Sequence, residues 1–143
     1  MKLVHHAVSC PAGTERISIP VDRLTLAKTR WRGVAADGVE FGFDLAHPLA
    51  HGDCVHLADG RAYVIEQAAE PVLEFPLGAS PDEAAKLGWL LGNLHQVIEV
   101  EPGLIRVADD PAIRQFAAQQ HVHPHARRAV FRPFRAGAGH HHH

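Results

Sequence analysis

Through the first half of the chain, apolar residues alternate with polar ones or gather in short branched and aromatic runs, the pattern of half-buried strands. Arg16-Ile17-Ser18-Ile19, Arg23-Leu24-Thr25-Leu26, Val39-Glu40-Phe41-Gly42-Phe43 and Arg61-Ala62-Tyr63-Val64-Ile65 are such runs. Between them lie Asp37-Gly38, Gly52-Asp53 and Asp59-Gly60, pairs that tolerate the positive φ of tight hairpin turns. A small antiparallel-rich β domain is expected over residues 1–78. Phe75-Pro76-Leu77-Gly78-Ala79-Ser80 reads as the linker that ends it, because Pro and Gly interrupt the pattern and a helix start follows.

Ser80-Pro81-Asp82-Glu83 has the form of a capping box. Ser80 accepts from the Glu83 amide, Glu83 reaches back to Ser80, and Pro81 suits the first helical position. The pattern predicts a helix over 81–91, ended by Gly92-Asn93 in the left-handed conformation. Gln96-Val97-Ile98-Glu99-Val100 follows as a strand, Glu101-Pro102-Gly103 as a turn and Leu104-Ile105-Arg106-Val107 as another strand. Asp110-Pro111 opens a second helix to Gln119, and residues 122–131 look extended. With one strand over 72–75, the order becomes βαββαβ, the ferredoxin-like pattern. The expected fold class is therefore α+β: a β-rich domain over 1–78, a ferredoxin-like domain over 79–136 and a flexible His-rich tail over 137–143.

At 143 residues and 46% apolar content, the chain has enough apolar material for one domain or two small ones. No stretch approaches the roughly 18 apolar residues that span a bilayer. Met1-Lys2-Leu3-Val4-His5-His6 lacks a secretory apolar region, so a cytoplasmic protein without a membrane partner is expected. Cys10 and Cys54 stand far apart with no CxxC pairing, which suggests neither a disulfide framework nor a thiolate zinc site. They read as buried or idle thiols. The net charge of −2 hides an asymmetry, since residues 1–110 contain all 16 acidic residues while residues 111–143 contain five Arg and no acid.

Thirteen histidines, seven of them after position 120, are the feature that composition must explain. Gly92-Asn93-Leu94-His95 sets one imidazole on the helix-to-strand turn, just ahead of the richest segment. In His121-Val122-His123-Pro124-His125 the imidazoles are two residues apart, so in extended chain they share a face and neighbouring rings converge on one ion. Pro124 argues for an edge or loop open to solvent, and the competing reading is a polar edge whose histidines face water. Gly137-Ala138-Gly139-His140-His141-His142-His143 has the composition of a metal-collecting tail, which is also that of a purification tag. His5, His6, His47, His51 and His56 suit ordinary surface or capping roles, and Asp110 suits a helix cap better than a metal.

No phosphate loop, HExxH, Gly-x-Ser-x-Gly or nucleophilic cysteine signature occurs, so no enzyme is expected. Arg127-Arg128, Arg132 and Arg135, interleaved with Phe131 and Phe134, suit phosphate contacts and base stacking. The alternative function is accordingly a small adaptor whose basic C-terminal segment binds RNA or an acidic protein partner.

Asp22-Arg23-Leu24-Thr25-Leu26, Arg30-Trp31-Arg32, the stretch from Leu49 ending in Gly52-Asp53, and Asp59-Gly60-Arg61 resemble the N-terminal domain of the UreE family of urease accessory metallochaperones. Gly92-Asn93-Leu94-His95 resembles that family's Gly-Asn-Arg-His motif, and Arg132-Pro133-Phe134 its late Pro-Phe segment. The likeness covers nearly the whole chain and lies in the order and spacing of the motifs. It implies a nickel-binding homodimer that delivers Ni(II) as cargo to the urease assembly complex, with urease apoprotein and other accessory proteins, including a GTPase, as partners. It also implies that the N-terminal domain binds partners and that His95 from each chain meets at the C-terminal dimer interface. A histidine-rich tail, here His140, His141, His142 and His143, adds ligands in such proteins. The donor chemistry agrees, since imidazole suits Ni(II), Zn(II) and Cu(II); nucleic acid is not expected as a partner on this reading.

Two departures stand out. Leu94 occupies the place of the usual arginine, and Ala108-Asp109-Asp110-Pro111 lacks the histidines that many members carry before the second helix. Compensation by His121, His123 and His125 is the expectation that follows.

Overall fold

The computed structural model describes residues 1–134. The chain folds into two compact units, Met1–Ala68 and the part from Ala69 onward. The first unit contains β1 (Lys2–Val4), β2 (Glu15–Val21), α1 (Arg23–Leu26), β3 (Arg30–Val34), β4 (Glu40–Asp44), β5 (Cys54–Ala58) and β6 (Arg61–Gln67). They build two three-stranded sheets, β1-β4-β3 and β2-β6-β5.

One expected strand is a helix instead. Residues 23–26 coil into α1 because Asp22 caps them: its carboxylate accepts from the Thr25 amide at 2.8 Å and from the Thr25 hydroxyl at 2.9 Å. A cap of this kind outweighs a four-residue alternation. The pairing also differs from an antiparallel-rich expectation. The hairpins β3/β4 and β5/β6 are antiparallel, but β1/β4 and β2/β6 are parallel. The hairpin turns are the ones the sequence announces, with Gly38 at φ 91° and Asp59 and Gly60 at 52° and 76°. Parallel partners are distant in sequence, so no local turn reveals them. Phe41, Phe43, Trp31, Tyr63 and Ile65 belong to the shared core, where Trp31 stacks on Phe43 at 4.0 Å between ring centroids.

The second unit contains β7 (Glu70–Pro76), α2 (Pro81–Gly92), β8 (Glu99–Glu101), β9 (Leu104–Ala108), α3 (Pro111–Gln119) and β10 (His125–Ala129). This is the βαββαβ succession, in one sheet of order β10-β7-β9-β8 with every neighbouring pair antiparallel. The domain boundary expected near residue 78 therefore moves to Ala68/Ala69. The cause is β7, which pairs with β9 from Val72↔Ala108 to Pro76↔Leu104 and so belongs wholly to the second unit.

The cap of α2 uses Ser80 as expected, its Oγ accepting from the Glu83 amide at 3.2 Å, but Glu83 reaches back to the Ala79 amide at 2.6 Å and not to Ser80. Gly78 at φ 88° permits that return, since a Cβ there would lie 2.6 Å from the Glu83 carboxylate. Asp110 caps α3 through the Ala112 amide at 2.7 Å. Leu87 and Leu91 of α2 and Ile113 and Ala117 of α3 pack on Leu73, Phe75, Ile105 and Val107, one face of the sheet.

On the opposite face Val72 packs with Ala108, Ala129 and a fully buried Phe131. Residues 130–134 cross this face, leaving β10 at one edge and bonding at the other, where the Phe134 amide donates to the Ile98 carbonyl at 3.0 Å. Beneath them Arg106 bonds Glu74 at 2.7 and 2.8 Å and Glu99 at 2.9 Å, and Glu99 also accepts the Arg132 amide at 3.0 Å. Burial works against the charge on Glu99, yet the Arg132 amide, the Glu101 side chain and Arg106 together hold its carboxyl below the ordinary range. Among the described residues, no helix is long and apolar enough to cross a membrane.

Candidate functional site

His95 follows α2 in an exposed turn. The expected left-handed terminators do not act as such: Asn93 continues the right-handed helical conformation at φ −69°, and the reversal falls on His95 at φ 59°. Its amide still donates to the Gly92 carbonyl at 3.1 Å, closing the last turn. A non-glycine residue held left-handed is strained by roughly 1–2 kcal/mol, a reservoir that accumulates at functional positions. Leu94, which replaces the expected arginine, instead packs its side chain onto the helix-side core.

α3 ends in the same way. His121 stands at φ 55°, its amide donating to Ala118 at 3.2 Å and the Val122 amide to Ala117 at 2.9 Å. This is a Schellman ending with histidine in the usual glycine position. The expected extended run over 122–131 shortens to His125–Ala129, so His121, His123 and His125 are not successive side chains on one strand face. That removes the geometric basis for their convergence. His125 opens β10 opposite Glu74, while His121 and His123 are exposed before the strand begins. Among the described residues no three His, Cys, Asp or Glu side chains are grouped to hold a metal ion. His140, His141, His142 and His143 lie outside the described residues.

Three of the remaining histidines have local partners. His5 Nδ1 pairs with the Asp44 carbonyl at 3.0 Å, His51 accepts from the Gln67 amide at 3.0 Å, and His56 packs against Phe41 and Tyr63. Asp109 is engaged by Arg114 through two bonds of 2.8 and 2.7 Å, and that hydrogen-bonded guanidinium lowers its carboxyl below the usual range.

Among the described residues of the basic segment, only one of the two rings is open to solvent, Phe134 at 52% exposure. Phe131 is fully buried, Arg127 approaches Glu74 at 3.4 Å, and Arg128 donates to the Ala69 carbonyl at 2.9 Å. Sequence reasoning missed a different surface on α2. Trp89 is 68% exposed, and with Ala85, Lys86 and Leu90 it lines a shallow apolar depression. The signal was Trp89 lying off the stripe of Leu87 and Leu91.

The sequence of this C-terminal unit has counterparts among known proteins. Residues 70–143 match the family model of the UreE urease accessory protein C-terminal domain. The chain is 36% identical over 123 residues to urease accessory protein UreE of Beijerinckia indica, an alignment covering 81% of this chain and 68% of that protein. It is 34% identical over 84 residues to the UreE of Rhodopseudomonas palustris, covering 57% and 39%. To the UreE of Ectopseudomonas mendocina it is 29% identical over 143 residues, covering 96% and 86%.

Proposed function

Since this chain belongs to the UreE family of urease accessory proteins, we propose that it is a metallochaperone that binds Ni(II) as cargo and hands it to the urease assembly complex. The family is one of accessory proteins and not of enzymes, and reversible coordination is the whole of the mechanism. The observation that carries the reading is His95, an exposed imidazole held at positive φ on the turn after α2.

One imidazole per chain is too few for a stable site, so the proposal requires two chains to share the ion. The exposed Trp89 and the half-buried Leu90 beside it, on the helix that His95 terminates, support a homodimer through this unit. Two imidazoles leave coordination positions open to solvent, to a partner or to His140, His141, His142 and His143, which serve as a feeder. His121, His123 and His125 enter as single imidazoles that collect ions, without forming one site. Zn(II) and Cu(II) suit the same donors. The first unit is the partner-binding module, and urease apoprotein and a GTPase among the accessory proteins are the partners.

The test is Ni(II) titration calorimetry with light scattering on the full chain, on a chain lacking residues 137–143, and on each with His95→Ala. The expected result is one ion per two chains that survives tail removal and disappears with His95. Only deprotonated imidazole binds metal, so affinity falls on acidification. Titrations superimposable at about pH 5.5 and 7.5, or tail-less binding indifferent to His95→Ala, would overturn the reading.

A further inference from the structure

Cys10 and Cys54, 44 positions apart, meet in the first unit. The Val8 amide donates to the Cys54 carbonyl at 2.8 Å, an isolated antiparallel bridge that draws the segment carrying Cys10 against β5. Both thiols are free; the bridge at Val8 and Cys54 leaves Cys10 two residues along the same segment, and each thiol alters the other's proton affinity. Their surroundings differ. Cys10 is half-buried, with the Thr14 hydroxyl 3.6 Å from its sulfur, whereas Cys54 is 5% exposed and its thiol turns toward the His56 carbonyl at 3.9 Å. The hydrogen bond with Thr14, with smaller help from Cys54 and the charge of Arg16, lowers the proton affinity of the Cys10 thiol. Burial, followed by the neighbouring Cys10, holds the Cys54 proton in place.

We propose that Cys10 and Cys54 form a reversible dithiol switch in which Cys10 is the attacking sulfur and Cys54 the resolving one, with a low-molecular-weight disulfide as oxidant. The Cys10 thiolate attacks one sulfur of the small disulfide, breaking its S–S bond and releasing one small thiolate. The mixed disulfide on Cys10 is then attacked by Cys54, which gives its proton to solvent as its sulfur bonds to the Cys10 sulfur and expels the second small thiolate. Two protein thiols are oxidised to one disulfide and the small disulfide is reduced to two thiols. The order follows from access, because the reagent reaches Cys10 from solvent while the buried Cys54 is reached only from Cys10. The bridge ties the segment after β1 to β5, in the unit proposed above to bind partners. The inference itself rests on the thiol pair and not on nickel binding.

The experiment is incubation of the full chain with glutathione disulfide, followed by thiol titration, intact mass and non-reducing electrophoresis. Both thiols should disappear together, with loss of two hydrogen masses, no bound glutathione and no increase in chain number. Cys54→Ser should stop at one glutathione on Cys10, and Cys10→Ser should leave Cys54 unmodified under native conditions. A stable glutathione adduct on the unsubstituted chain, an interchain disulfide, equal reactivity of Cys54 in the Cys10→Ser chain, or no reaction overturns the proposal. The mass of the unsubstituted chain by itself separates the internal bridge from an adduct, an interchain disulfide or no reaction, so the existence of the switch is tested without either variant, and the variants test only the order of attack.

Discussion

At the scale of single residues, both helices of the second unit end on a histidine in a conformation that histidine resists. His95 and His121 stand at φ 59° and 55° where glycine carries no Cβ penalty. The expected outcome of His95→Gly is therefore a gain of about 0.5–1 kcal/mol, the relief of strain being offset in part by the greater freedom of glycine in the unfolded chain. Denaturant midpoints measure it, and His121→Gly should behave alike. If the proposed role of His95 is correct, His95→Gly alone also abolishes the shared ion, so stability and cargo binding move in opposite directions at one position. The sequence announced His95 as the end of a helical run, but it pointed to Gly92-Asn93 for the left-handed turn. The difference lies in Leu94: its side chain packs into the core, which fits a chain that keeps its helical course for two residues past Gly92.

At the scale of elements, the four-stranded sheet of the second unit is apolar on its helix side and holds an ionic network on the other. Arg106, Glu74 and Glu99 have side chains only 11%, 10% and 9% exposed. Removing the cation with Arg106→Ala leaves two buried carboxylates with only the Arg127 contact to Glu74 and the Arg132 amide on Glu99, and should cost about 3 kcal/mol, read from chemical denaturation. Acid provides an independent check. The folded Glu99 carboxyl titrates below its unfolded value, so its contribution is complete above the ordinary carboxyl range of about 4.3 and is lost as pH falls through the lower folded value. Residues 130–134, anchored by the Arg132 amide on Glu99, should accordingly become more exchange-labile below about pH 4, measured by amide hydrogen exchange. Phe131→Ala removes a fully buried ring and should cost about 3–5 kcal/mol. The strands and helices here were legible in their periodicity and caps. The crossing of residues 130–134 was not, because Phe131 is held by Val72 and Ala108, contacts that no local pattern encodes.

At the scale of the whole molecule, each unit has its own core, and the surface proposed for dimerisation belongs to the second. Trp89→Glu changes an exposed position, so folding stability should move by no more than about 0.5 kcal/mol. On the dimer reading, light scattering should show the mass falling from two chains to one. An unchanged mass would place the interface elsewhere and leave the exposed tryptophan without a structural account. What the sequence determined by itself was local: the capping Ser80 and Asp110, the turns at Gly38 and Asp59-Gly60, the βαββαβ succession and the exposed place of His95 after a helix. These depend on interactions a few residues long, which spacing and residue type express directly. Only the tertiary structure decided the parallel pairings of β1 and β2, the assignment of β7 to the second unit, the dispersal of His121, His123 and His125, and the meeting of Cys10 with Cys54. Each depends on which distant segments share a sheet, and that choice is made by burial across the whole chain and not by any one stretch of it.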